Sequence, residues 1–306
     1  MNQVINSAER LEKLRPRIRG LEAMPTIPAI VRPLVEMLEQ PIDQIDLEKV
    51  LELVSYDKTI AGQCLRMANS PLFGRRQTET VRSAVLALGL KRVQAILLGC
   101  CMNMSIPADK WALDPVVFWR HSLGVALVSR KMAQLIGYPD PEKAYLGGLM
   151  HDLGILVNSL VCGEEFRKCV QTAAEERLAL DQAEEKQFGF THCQSGKILA
   201  EQWNLPSDIV EVVEFHHDVK MADKAQPLVS LVHLSDLLCR VRDLGYGYYE
   251  VMGIDLAGDA AWAALVPHYP KLANIDLARL TMDIEASMDE IVHLVDAVFG
   301  AQSQKQ

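Results

Sequence analysis

With 306 residues, 49% of them hydrophobic and 23% charged, the chain is long enough for two or three compact units and has the composition of an ordinary globular protein. The formal net charge of −9 argues against a generic binder of phosphate backbones, which presents a basic excess, so nucleic acid is not an expected partner.

The opening residues, "MNQVINSAERLEKLRPRIRG", contain no apolar core of a signal peptide. The longest apolar runs meet Asn, His or Asp before reaching spanning length, so no membrane segment and a cytoplasmic location are expected. Helical periodicity dominates throughout, and the fold class expected is all-α. A first helical unit is expected over about residues 25–105, with breaks at Pro41, at "NSPLFG" (69–74) and at Gly89. Within it, Arg75, Arg76, Arg82, Lys91 and Arg92 are opposed only by Glu79. Such a run reads as a solvated helix face.

A second helical unit follows "PADKW". Asp114 can cap its first helix with Pro115 at the first position, and Gly137 followed by Pro139 closes it. Asp140 and Pro141 repeat that opening for the next helix, which carries the run "YLGGLMHDLGILVNSLV" (145–161). Thr191 and Gln194 have the spacing of a capping box, and Pro206 and Pro227 open two further helices. After Arg242 come the turn "LGYGYYE", helical segments to about residue 300 and a polar tail. The seven cysteines (Cys64, Cys100, Cys101, Cys162, Cys169, Cys193 and Cys239) include no C-x-x-C pair. They read as reduced, buried thiols.

Several polar residues are misplaced for plain core. Asp152 interrupts the apolar run 145–161, and an unpaired carboxylate taken out of water costs several kcal/mol unless a cation compensates it. His121 lies in the stripe Phe118, His121, Val125, Val128, Met132, Leu135, and Asp236 shares a face with Val229, Val232 and Cys239. His216 and His217 end a helix whose apolar face is Ile209, Val212 and Val213; His192 aligns with Gly196, Leu199 and Trp203. Each has an ordinary explanation. His121 can be a hydrogen-bonded core residue, His192 a helix-start residue and His216–His217 a surface pair, and Asp236 has Arg240 at i+4 for a salt bridge. His233, His268 and His293 have no such context and read as structural. Yet five of the eight histidines, with His151 among them, and two aspartates sit where a metal ion wants them. Imidazole and carboxylate suit Fe, Mn, Zn, Co or Ni, and a carboxylate can bridge two ions. Adjacent helical residues point about 100° apart, so His151–Asp152 can flank a two-metal centre.

The order His121, His151–Asp152, His192 in "HCQSG", His216–His217–Asp218 and Asp236 resembles the HD superfamily of metal-dependent phosphohydrolases, with the pattern of its HD-GYP branch. The segments "MPTIPAIVRPLVEMLEQP", "DLEKVLELVSYDKTIAGQCLRMANSPLFG" and "VRSAVLALGLKRVQAILL" resemble HDOD, the HD-related output domain of bacterial signalling proteins. The resemblance covers about residues 22–240. It implies an N-terminal helical subdomain (about 25–105) packed on an HD-like metal-binding subdomain (about 110–240), with residues 241–306 as a C-terminal helical extension. It also implies a divalent transition-metal pair, iron or manganese first and zinc, nickel or cobalt as alternatives, on His121, His151, Asp152, His192, His216, His217 and Asp236. Ile155 stands where HD-GYP members carry a phosphate-holding lysine, "HHDVKMADKAQPLV" replaces the GYP loop, and Val117 stands where some trinuclear members carry a glutamate. These departures favour a regulatory output module acting on a signalling protein partner. The other reading is a phosphohydrolase acting on a nucleotide or cyclic dinucleotide; a third is a purely structural protein without metal.

Overall fold

The computed structural model describes residues 11–12, 14–18, 44–55, 58–70, 78–90, 92–93, 111–242, 244–246, 255–269, 272 and 277–299. Among the described residues every regular element is helical, and the all-α expectation holds. In the N-terminal third, residues 11–12 and 14–18 are helical, and the described helices with defined bounds are α1 (Leu47–Ser55), α2 (Lys58–Ala68) and α3 (Val81–Leu88). Nine follow from residue 115 to 265: α4 (Pro115–Ile136), α5 (Pro141–Met150), α6 (Leu153–Cys162), α7 (Glu164–Glu176), α8 (Leu180–Phe188), α9 (His192–Gln202), α10 (Ser207–Phe215), α11 (Gln226–Val241) and α12 (Ala260–Leu265). The last is α13 (Leu277–Phe299).

The helix ends form for the reasons the residues suggest. The Asp114 side chain accepts from Val116 N–H, and Gly137 closes α4 in the left-handed conformation at φ 81°. The Asp140 side chain accepts from Lys143 N–H to open α5. Both halves of the Thr191–Gln194 capping box are made. Thr80 caps α3 in the same way, by accepting from Ser83 N–H. Each such cap stabilises its helix by about 1 kcal/mol.

One continuous core runs through the molecule. The long α4 is its axis, packed on one side by α5 and on the others by α11 and α13. The N-terminal helices α1–α3 pack on one another, and α13 reaches back to α2. Polar ties reinforce these crossings. Arg120 on α4 pairs with Asp296 on α13, Arg92 and Arg130 both hold Glu142 at the start of α5, and Arg17 donates to the Val161 carbonyl. Of the basic run, Arg82 pairs with Glu48 and Arg92 with Glu142. Arg75, Arg76 and Lys91 lie outside the described residues, as do the expected break at Pro41, residues 71–74 of the second break, Cys100, Cys101 and the tail beyond Phe299.

Two expectations need correction. The run 145–161 is not one helix, because it breaks at His151–Asp152 between α5 and α6. Polar residues also do not keep it short of spanning length. Pro141–Cys162 is long and apolar enough to cross a membrane by length and composition, but 89% of its most apolar window is buried inside the helical core.

Candidate metal centre

The break between α5 and α6 builds the site. Asp152 occupies the N-cap position of α6, yet its side chain makes no capping hydrogen bond. A carboxylate there is already favoured by the positive end of the helix dipole, so it is free to turn inward. Opposite it, α9 approaches α6 more closely than side chains allow. A Cβ on Gly154 would lie 1.7 Å from the His192 carbonyl oxygen, and one on Gly196 would lie 2.8 Å from the Gly154 nitrogen. The glycines of "HDLG" and "HCQSG" are therefore a mutual contact. It presses the first turn of α9, with His192, against the first turn of α6, with Asp152.

Four helices aim imidazoles at this carboxylate, and each ring is oriented from behind through Nδ1. His121 on α4 donates to the Leu244 carbonyl (2.7 Å), and His151 donates to the Gly148 carbonyl (2.8 Å). His192 donates to Glu184 Oε2 (2.6 Å), and His216 at the end of α10 donates to the Val213 carbonyl (3.1 Å). When each ring is neutral with its proton on Nδ1, all four Nε2 atoms present lone pairs to the interior. They converge on both oxygens of Asp152. Nε2 of His192 and of His216 stand 3.3 and 3.2 Å from Oδ1, and they are 3.4 Å from each other. Nε2 of His151 stands 2.9 Å from Oδ2, 3.3 Å from His121 Nε2, and His121 Nε2 is 3.1 Å from Asp236 Oδ1. With the rings neutral, acceptors face acceptors across these gaps. Donors about 2.0–2.3 Å from one ion lie roughly 3–3.6 Å apart at octahedral or tetrahedral angles. The spacing and the donor chemistry fit metal binding. Asp152 Oδ1 is moreover buried without a hydrogen-bond partner, as a ligand oxygen would be.

The electrostatics agree with a cation-holding cluster. Burial alone would raise the Asp152 carboxyl, but His151, His192 and His216 overcome it and hold the group well below the usual carboxylate range. Burial likewise opposes ionisation of Asp236, and the Arg240 guanidinium with His121 brings it well below that range. Burial, with repulsion from His216 and Arg240, keeps His217 neutral far below its ordinary value. Burial also lowers His151, against the pull of Asp152. Burial would likewise lower His121, His192 and His216, but Asp236 outweighs it at the first, Glu184 and Cys193 at the second, and Cys193 with Asp152 at the third, raising all three and bringing His216 to about 10. Ionised aspartates and neutral imidazoles ligate metal, so a cation binding here displaces protons from these rings.

All seven residues expected from the sequence meet in this place. His121, His151, Asp152, His192, His216 and Asp236 are at most 1% exposed. His217 is partly exposed and lies over His216 and His192, with ring centroids 4.1 and 5.2 Å away. Asp236 also makes the salt bridge that its sequence context offers, a bidentate pair with Arg240 (2.8 and 2.6 Å). His233 is not in the cluster. It donates to the carbonyl of His216 (2.6 Å), a supporting role that its isolation in sequence hides.

Three further residues complete the site. Glu184 is wholly buried on α8 and binds Asn158 as well as the ring and backbone N–H of His192. An acid on the apolar face Leu180, Ala183, Phe188 was its available signal. Cys193 stands 3.9 Å from both ring nitrogens of His216. Burial would raise its thiol, but His216 and His192 bring it down to about 6. Tyr246, from the Gly/Tyr-rich turn, donates to Asp152 Oδ2 and lays its ring against His121, 4.3 Å between centroids. Ile155, where a phosphate-holding lysine would stand, is fully buried apolar core.

Comparison with known proteins places this geometry in a family. The HDOD domain model matches residues 24–219, more than half of the chain. Among solved structures, an HDOD domain protein of unknown function from Geobacter sulfurreducens aligns with TM-score 0.78 and 27% identity over 95% of this chain and 98% of its own. A candidate phosphohydrolase from Shewanella amazonensis SB2B shares the fold at TM-score 0.67 and 18% identity, covering 94% of this chain and 98% of that one. An uncharacterised protein of Treponema pallidum (strain Nichols) is 23% identical over 76% of this chain, which spans only 45% of that relative's length.

Proposed function

We propose that this chain, which belongs to the HDOD family, is a signal-transduction protein whose buried His/Asp cluster holds two divalent transition-metal ions and which acts mainly as a regulatory or protein-interaction module. The observation that carries the metal reading is the convergence of four oriented Nε2 lone pairs on the two oxygens of Asp152. His121, His151, Asp152 Oδ2 and Asp236 would hold one ion; Asp152 Oδ1, His192, His216 and His217 would hold the other. Such a pair, when bound, supplies Lewis acidity and a water of lowered pKa. What the chain's own residues do around it favours a closed centre over a catalytic one. A catalytic metal site keeps a position open to water or substrate. Here Tyr246 covers Asp152 Oδ2, Arg240 engages both oxygens of Asp236, and the apolar Ile155 supplies no charge to take a phosphate.

Hydrolysis of a nucleotide or cyclic dinucleotide is the second reading. It is favoured by the complete ligand set and by His217, whose partial exposure gives one direction of approach. Metal analysis of protein purified without chelators or a histidine tag tests the centre. About two equivalents of transition metal per chain are expected, and less than a tenth of an equivalent after growth in metal-supplemented medium would overturn it. A cyclic-di-GMP assay with manganese- or iron-loaded protein separates the two readings. Turnover near about one per second, lost in Asp152→Ala, would make the protein an enzyme.

A further inference from the structure

We infer that Cys193 is itself a metal ligand, so that the centre is asymmetric, with the half built on His192, His216 and Asp152 Oδ1 selecting a thiophilic ion such as zinc, iron(II) or cobalt(II) over manganese. The inference rests on the metal-centre reading above and adds a ligand and a selectivity to it. The donor atoms of His192, Cys193, His216 and His217 lie within 4.8 Å of one another. Cys193 Sγ is equidistant, at 3.9 Å, from the two ring nitrogens of His216. That is close to the roughly 3.5 Å expected between thiolate and imidazole donors on one ion. A cysteine kept only as a small apolar residue would face aliphatic neighbours, whereas this one, 6% exposed in the first turn of α9, faces imidazoles.

The second, independent observation is Asp152 Oδ1. It is buried, lacks a hydrogen-bond partner and lies 3.3 and 3.2 Å from Nε2 of the same two histidines. On the other half the donors are His121, His151, Asp152 Oδ2 and Asp236, nitrogen and oxygen alone. Manganese prefers oxygen donors and zinc, iron and cobalt accept sulfur, so a thiolate on one half only divides the two sites by chemistry.

Cobalt(II) substitution of the full chain, stripped with a chelator and reloaded, reads this directly. The loaded protein is expected to show visible d–d bands together with a near-ultraviolet thiolate-to-cobalt charge-transfer band. Cys193→Ser should keep bound cobalt and its d–d bands but lose the charge-transfer band. Its zinc affinity at that half should fall roughly a hundredfold while manganese affinity moves by no more than about threefold. Single alanine variants at Cys64, Cys100, Cys101, Cys162, Cys169 and Cys239 should each retain the band, which assigns it to Cys193 by elimination even if Cys193→Ser folds poorly. Bound cobalt with d–d bands but no charge transfer in the unsubstituted protein would overturn the ligand assignment and leave the metal centre standing. A band that survives in Cys193→Ser would overturn it as well. Failure to bind any cobalt would overturn the metal centre and this inference together.

Discussion

At the scale of single residues the decisive group is Asp152, because one of its oxygens faces each half of the cluster. Asp152→Ala removes a ligand from both halves at once, so metal content measured on the purified variant should fall to near zero, whereas His121→Ala should leave about one equivalent. Glu184 acts one step further out. Glu184→Gln preserves its shape, and the Asn158 amide can turn its unpartnered Oδ1 towards the new amide, so folding should survive. What is lost is the charge that orients and polarises His192, and metal affinity at that half should drop roughly ten- to a hundredfold in competition with a chromophoric chelator. The difference between these residues is also a difference in legibility. Asp152 and the five histidines stand out because a polar side chain in an apolar stripe is visible from periodicity. Tyr246 and Cys193 do not, since a tyrosine in a glycine-rich turn and a cysteine in a helical first turn are ordinary there. Only the folded path brings them to the cluster.

At the scale of elements, the α6–α9 contact sets the geometry, and its tolerance is small. A Cβ at Gly154 meets the backbone of His192 rather than a side chain that can rotate away. Gly154→Ala should therefore force the helices apart, costing about 1–3 kcal/mol or more, with a lowered melting temperature and loss of metal from the His192 half first. The helix ends were legible because caps and prolines are local chemistry. The break at His151–Asp152 was not, since nothing in an apolar run marks a residue that declines to cap its own helix. A second element-level contact is sensitive to acid. Burial would raise Glu142, but the pairs with Arg92 and Arg130 more than offset it and leave the group below its ordinary 4.5. A depressed carboxyl contributes stability that is fully present above the unfolded value and is lost as pH falls through the folded one. Glu142→Gln should thus be less stable than the parent near neutral pH. The gap between their denaturation midpoints should narrow as pH drops below about 4.5; a gap independent of pH down to acid unfolding would count against the pairing.

For the whole molecule, we propose to keep the division into a helical unit before about residue 105, a metal-bearing unit of about 110–240 and a C-terminal stretch, with α13 as the element that makes them interdependent. Its buried side chains, Ile284, Met288, Ile291, Leu294 and Val295, join the common core, and it touches both α2 and α4. Asp296 holds Arg120, the neighbour of His121, and Asp289 holds Arg242 at the end of α11 (2.8 Å). The C-terminal helix is thus clamped to two of the helices that carry ligands. Removing the N-terminal unit would uncover the part of α13 that meets α2, together with the α5 end that Arg92 grips. Apolar surface of that kind leads to association or lower stability in water. A fragment of residues 107–306 is therefore expected to aggregate or to melt well below the full chain, and to hold its metal less tightly because α13, which fixes α4 and α11, loses its own support from α2. Sedimentation and thermal melts of the fragment beside the intact protein decide it: a soluble, monomeric fragment with an unchanged melting temperature would show that the metal-bearing unit stands alone.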